Sequence, residues 1–158
     1  MANITDSTAS NVFYQARLEA AKKNECLSSR EGASDLLSID NGRLYRIERG
    51  VTTPYPEEVF LMSDLYHAPE LRNYYCTELC QLGCDIPKAE IADLDRISIG
   101  VISAIRKMGE TRDLLLDVSA DGIVDETERI DREKVIRNLE TLEQLTQSLK
   151  LWVKKNLE

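Results

Sequence analysis

From Leu27 to Tyr66 the chain reads LSSREGASDLLSIDNGRLYRIERGVTTPYPEEVFLMSDLY. The order of caps, breakers and apolar residues in it predicts three helices in quick succession. Ser28 or Ser29 offers an N-cap for a short helix over Arg30–Leu37, with Glu31 near its positive end. Ser38–Asn41 is turn chemistry. The next helix, about Asn41–Arg49, sets Leu44 and Ile47 on one side and Arg43 and Arg46 on the other, and Gly50 stops it. After the loop Thr52–Pro56, a proline in the first turn suits a helix running through Val59, Met62, Leu65 and Tyr66.

Working outward, Met1–Ser10 is small and polar and reads as a loose tail. Asn11 is a plausible cap for a first helix carrying Val12, Phe13, Ala16, Ala20 and Ala21 at three- and four-residue steps, broken at Asn24–Leu27. On the other side a fifth helical element is expected over Pro69–Leu82, ending near Gly83. Beyond the break at Gly83–Pro87 the spacing lengthens. Ile91, Leu94, Ile97, Val101, Ile105, Met108 and Leu115 predict one long helix from about Lys88 to Leu116, with bends expected at Gly100 and Gly109. Val135, Leu139, Leu142, Leu145, Leu149 and Trp152 predict a second, from Asp125 to the end, folding back around Asp121–Gly122. The expected fold class is therefore all-α. Its parts are a tail at 1–10, a multi-helix domain at 11–82, a linker at 83–87 and a helical hairpin at 88–158. The stripe from Val135 to Trp152 is longer than one partner helix interrupted by glycines covers, so the C-terminal half is expected to form a homodimer.

The 158 residues are 42% hydrophobic and 30% charged, enough apolar content for a buried core and far from disordered or fibrous composition. No apolar run approaches the ~20 residues that span a bilayer, and Met1–Asn11 lacks the basic start and apolar stretch of a signal peptide, so a cytoplasmic protein without membrane contact is expected. The net charge of −8 disfavours a general polyanion binder. That charge is uneven, however: residues 1–55 are neutral, 56–100 carry −6 and 101–158 carry −2. The most basic short window is Asn41–Gly50, with Arg43, Arg46 and Arg49 against Glu48.

The quoted stretch resembles the Cro/cI-like (XRE) helix-turn-helix regulators of bacteria and phages. The likeness rests on Ile47-Glu48-Arg49-Gly50, followed by a loop with Pro54 and Pro56 and the helix from Met62 to Tyr66. The segments APELRNYYCTELC and LLLDVSADGIVDETE also resemble C-terminal parts of bacterial regulators of that kind. The resemblance implies an N-terminal lambda-repressor-like domain and a transcriptional regulator that binds double-stranded DNA as a homodimer, with repression as its mode. Its recognition helix would expose Asp40, Asn41, Gly42, Arg43, Tyr45 and Arg46, with Ser29 and Arg30 at the start of the preceding helix near phosphate. The chemistry is that of major-groove readout: Asn41 suits adenine, an arginine guanine, and Asp40 cytosine. Three positions depart from the family pattern. Ser29 stands where a glutamine is usual, Ser38 where the turn usually has glycine, and Gly32 where a leucine is common, the last at about 1 kcal/mol of helix propensity. The competing class is a protein-interaction module of the same fold. Neighbouring acids that neutralise the arginine face would favour it.

Two further patterns bear on chemistry. Asp117 to Glu128 fits the twelve-residue calcium-loop template, with Asp117, Ser119, Asp121, the Ile123 carbonyl, Asp125 and Glu128 as ligands and Gly122 at the turn. The loop is single, and the same residues also describe a helix end at Gly122 followed by a cap at Asp125, which is the preferred reading. Cys76, Cys80 and Cys84 recur at four-residue intervals, with Cys26 and the sole histidine, His67, as possible fourth ligands for zinc or an iron–sulfur cluster. Because metal sites usually pair cysteines at two-residue gaps, buried free thiols are the preferred reading over metal ligation or a reversible disulfide, and no cofactor is expected. One histidine, no glycine-rich phosphate loop and no G-x-S-x-G motif leave no nucleophile–base pair, so no enzyme is expected.

Overall fold

The computed structural model describes residues 11–121 and 129–157, and every regular element in them is helical. None of these helices is long and apolar enough to cross a membrane. The chain divides into two units between Ile86 and Pro87.

The first unit begins with α1, Val12–Ala21, whose start is fixed by the Asn11 side chain accepting from the Phe13 and Tyr14 N–H groups. A 3₁₀ turn, Glu25–Ser28, leads into α2, Arg30–Leu37, and α3, Asn41–Glu48, follows across a four-residue-or-shorter turn. Then come α4, Pro56–Leu65, and α5, Glu70–Tyr74. The chain next widens into a π-turn, Tyr75–Leu79, instead of continuing as helix to Leu82. Cys80 leaves that turn in extended backbone, and Gly83 folds back so tightly that a Cβ there would lie 1.5 Å from the Cys76 carbonyl oxygen.

Inward faces of these helices share one core built on Phe13, Leu27, Leu37, Leu44, Ile47, Met62 and Leu71, each at 3% exposure or less. At roughly 1.5–3 kcal/mol per large apolar side chain, this cluster is the main force holding the first unit together. Phe13 and Tyr74 add an edge-to-face ring contact with centroids 5.9 Å apart. Three helix ends turn through left-handed backbone: Ser38 (φ 55°), Gly50 (φ 68°) and His67 (φ 50°). After Ser38 the chain reaches back, with the Ile39 N–H on the Ser34 carbonyl at 3.2 Å and the Ser34 hydroxyl on the Ile39 carbonyl at 2.5 Å.

In the second unit α6, Leu94–Asp121, and α7, Arg129–Leu157, pack side by side. They run antiparallel, since Gly100 lies against Leu145 and the Asn138 amide donates to Thr111 Oγ1 at 2.8 Å. Buried Ile97, Ala104 and Thr111 of α6 form the seam with Val135 and Leu151 of α7. The first of these helices starts at Leu94 rather than near Lys88. Residues 88–93 precede it without regular structure, held by the Glu90 N–H donating to the buried Ser148 hydroxyl at 2.8 Å. Ile91 therefore lies outside the helix, largely exposed. Neither expected bend interrupts α6, which is continuous through Gly100 and Gly109.

Candidate nucleic-acid interface

The short helix α3 is anchored from below. Leu44 and Ile47 are buried in the core, and so is Glu48, at 1% exposure. A buried carboxylate requires partners, and two arginines supply them. Arg17 of α1, 3% exposed, grips it with Nε on Oε1 at 2.5 Å and Nη2 on Oε2 at 3.2 Å, while its Nη1 donates to the Leu27 carbonyl at 2.9 Å. Arg30 at the start of α2 donates Nε to the same Oε2 at 2.9 Å. Burial works against the Arg17 charge, but the Glu48 hydrogen bond and field outweigh it and raise the guanidinium pKa above its ordinary value. Tyr66 lies close by. Its hydroxyl is buried without a hydrogen-bond partner among the described residues, and desolvation, reinforced by the Glu48 charge, pushes its pKa up.

This arrangement fixes α3 against α1 and α2 and leaves its other side exposed. Asn41, Gly42, Tyr45 and Arg46 all face solvent. Asp40 and Ser29 are engaged as helix caps, Asp40 accepting from the Arg43 N–H at 2.9 Å and Ser29 from the Gly32 N–H at 3.0 Å. Arg43 is tied sideways. It pairs with Glu58 of α4 through Nε and, at 2.8 Å, through Nη2, and its guanidinium lies 4.1 Å from the Tyr55 ring centroid. Glu58 in turn accepts from the Tyr55 N–H at 2.6 Å. Burial would raise the Glu58 pKa, but the hydrogen bonds from Arg43 and Tyr55 and the Arg43 charge outweigh it and hold the carboxyl below its ordinary value.

Tyr45 stands between two cations, Arg30 at 4.8 Å and Arg49 at 5.8 Å from its ring centroid. Arg46 makes no ion pair among the described residues and is exposed. The eight residues singled out in the sequence thus fall together around α3 and the start of α2, in three roles. Ser29 and Asp40 cap, Arg30 and Arg43 are paired with acids, and Asn41, Gly42, Tyr45 and Arg46 remain open. Reading the sequence missed Arg17, Glu58 and Tyr55, and named Arg49 only as part of the basic window Asn41–Gly50. Glu58 carried a signal as the third residue of a helix begun by Pro56, but nothing in its spacing pointed to Arg43.

The cysteines depart from the expectation of buried thiols. Cys26 and Cys84 are exposed and Cys76 and Cys80 half-buried, all four free. The π-turn and the exit of the chain at Cys80 break the four-residue register that would align Cys76, Cys80 and Cys84 on one helix face. His67 serves as the left-handed end of α4 and is exposed. Among the described residues, no group of three or more His, Cys, Asp or Glu side chains is placed to hold a metal ion. Of the calcium template, the backbone at Asp117, Ser119 and Asp121 belongs to α6, while Ile123, Asp125 and Glu128 lie outside the described residues.

Compared with protein-family models, with curated proteins and with solved structures, the chain matches none.

Proposed function

We propose that this chain is a cytoplasmic, sequence-specific DNA-binding regulator of the Cro/cI-like (XRE) helix-turn-helix type, a repressor acting as a homodimer. The observation that carries the reading is the open side of α3. A short helix is clamped by a buried carboxylate on one side and offers Asn41, Tyr45 and unpaired Arg46 on the other. An α-helix fits the major groove, where Asn41 suits adenine and Arg46 guanine. In this reading α2, the Ser38 turn and α3 are the helix-turn-helix, and Arg43 positions α3 against α4 instead of reading a base. The C-terminal helical hairpin, α6 with α7, joins two copies.

Selection from a random double-stranded DNA library, followed by titration at several salt concentrations, tests this. A palindromic motif is expected, with half-sites about one helical turn, ~34 Å, apart. Arg46→Ala is expected to weaken binding by about 1–3 kcal/mol and relax preference at one base pair. Absence of any selected motif, together with no salt-dependent binding, overturns the proposal. One observation favours the protein-interaction reading: Arg43 and Arg30 each meet an acid, Glu58 and Glu48, so half of the four arginines on this side are neutralised. Under that reading the same selection returns no motif.

A further inference from the structure

The second unit contains a trough that the DNA-binding reading does not use and that does not rest on it. Glu90, Ala92, α6 and α7 line an open space of about 400 Å³, within the size range of small-molecule sites. Its apolar surface comes from Ile97, Ile99 and Leu145, and Gly100 keeps α6 close to α7, since a Cβ there would come within 2.8 Å of Leu145 Cδ2. The wall at 90–92 is pinned in place because Ser148 Oγ accepts from the Glu90 N–H and donates to the Gln144 carbonyl, both at 2.8 Å.

The polar groups that remain available decide what fits. Glu90 and Arg96, which supply the charges around the trough, face each other at 3.7 Å, so a neutral ligand disturbs nothing and an ion must break that pair. Thr141 donates its hydroxyl hydrogen to the Arg137 carbonyl at 2.7 Å, which leaves its oxygen as an acceptor. The Gln144 side-chain amide and the Ser103 hydroxyl make no hydrogen bond among the described residues. A free primary amide offers one donor edge and one acceptor edge side by side, the complement of another amide. From this we propose that the trough binds a small neutral molecule carrying an amide group and a short apolar chain, with Gln144 pairing the amide and Ile97, Ile99 and Leu145 covering the chain.

Hexanamide titrated into the ¹⁵N-labelled full-length protein tests the assignment without DNA. Saturable shifts are expected at the Gly100 and Ser103 backbone amides and at the Gln144 side-chain amide, with Asn41–Glu48 unmoved. Gln144→Leu is expected to weaken hexanamide about fivefold, the worth of one neutral hydrogen bond, and hexanoate should bind at least about fivefold more weakly than hexanamide. Ser103→Trp, at an exposed position on the rim, fills the trough and should abolish the shifts while the protein remains folded and helical. The proposal is overturned by shifts that do not saturate in the millimolar range, by shifts centred elsewhere, or by equal binding of hexanoate. Unaltered affinity in Gln144→Leu overturns it equally.

Discussion

Gly32 is the third residue of α2, where helix propensity alone recommends alanine by up to about 1 kcal/mol. The structure reverses that advice, because a Cβ on Gly32 would stand 2.2 Å from the carbonyl oxygen of Cys26, a backbone atom of the preceding turn that has no rotamer to escape into. Gly32→Ala is therefore expected to lower stability by about 1–3 kcal/mol, the cost of overpacking, and denaturant unfolding will read the sign directly. Ser38 is the mirror case. It holds φ 55° at the end of α2, a conformation that is strained for a residue with a Cβ and relaxed for glycine. Ser38→Gly should raise stability by about 0.5–1 kcal/mol and leave the α2–α3 turn in place. A loss in that variant would mean that the Ser38 side chain makes a compensating bond.

Glu58 gives a pH signature at the same scale. Its carboxyl pKa is depressed in the folded protein, so the ionised form is what folding favours. The stability it contributes is fully present above the ordinary carboxylate pKa of about 4.3 and is lost as pH falls through the lower folded value. Glu58→Gln should accordingly be less stable than the parent by a constant margin at neutral pH, and the margin should close below about pH 4. A margin that widens on acidification would contradict the Arg43–Glu58 assignment. Melting curves of both proteins across that range decide it.

At the scale of elements, the starts of the first unit's capped helices were legible, whereas the start of α6 and some helix ends were not. Asn11 and Ser29 stand where the caps of α1 and α2 are found, because a cap is a local contact between a side chain and the next two or three N–H groups, and Pro56 takes the first helical position of α4, just after Tyr55. Gly50 was legible as a stop for the same reason. Ser38 and His67 end helices in the same left-handed way without a glycine to announce it. The late start of α6 has another cause. Ile91, Leu94 and Ile97 have helical spacing, but the Glu90 N–H is satisfied by Ser148, fifty-eight residues away, and no local pattern encodes such a partner. The site was legible in the same measure. The open residues of α3 follow from its periodicity, whereas the Arg17–Glu48 clamp joins positions thirty-one residues apart. The two glycines of α6 also separate on tertiary grounds. Gly100 is a contact point with α7, while among the described residues nothing lies within 4 Å of a Cβ on Gly109. Gly109→Ala should thus add about 0.5–1 kcal/mol by propensity alone, measurable as a rise in melting temperature, and a loss would reveal that this spot is covered in solution.

For the whole molecule, the consequence with most reach is assembly. Leu94, Ile102, Ile105 and Leu116 are all exposed on α6, and at 3.6 residues per turn they fall within a sector of about 80° beside the buried seam. Ile136 and Leu139 of α7 are exposed as well. An apolar stripe of this kind on an antiparallel helix pair is what a second pair covers to complete a four-helix core, and under the proposed function two copies related by a two-fold axis would present two α3 helices to one duplex. Ile102→Glu combined with Ile105→Glu places charges in the stripe without touching Ile97, Ala104 or Thr111 of the seam. The double variant should remain helical yet scatter light as a monomer at concentrations where the parent is a dimer. Its binding to a palindromic operator should fall far more than its binding to a single half-site, since the second half-site contact becomes bimolecular again. A parent protein that is itself monomeric at micromolar concentration, or a double variant that stays dimeric, would place the dimer contact elsewhere or remove it. In the first outcome an operator selected by the parent should contain one half-site instead of two.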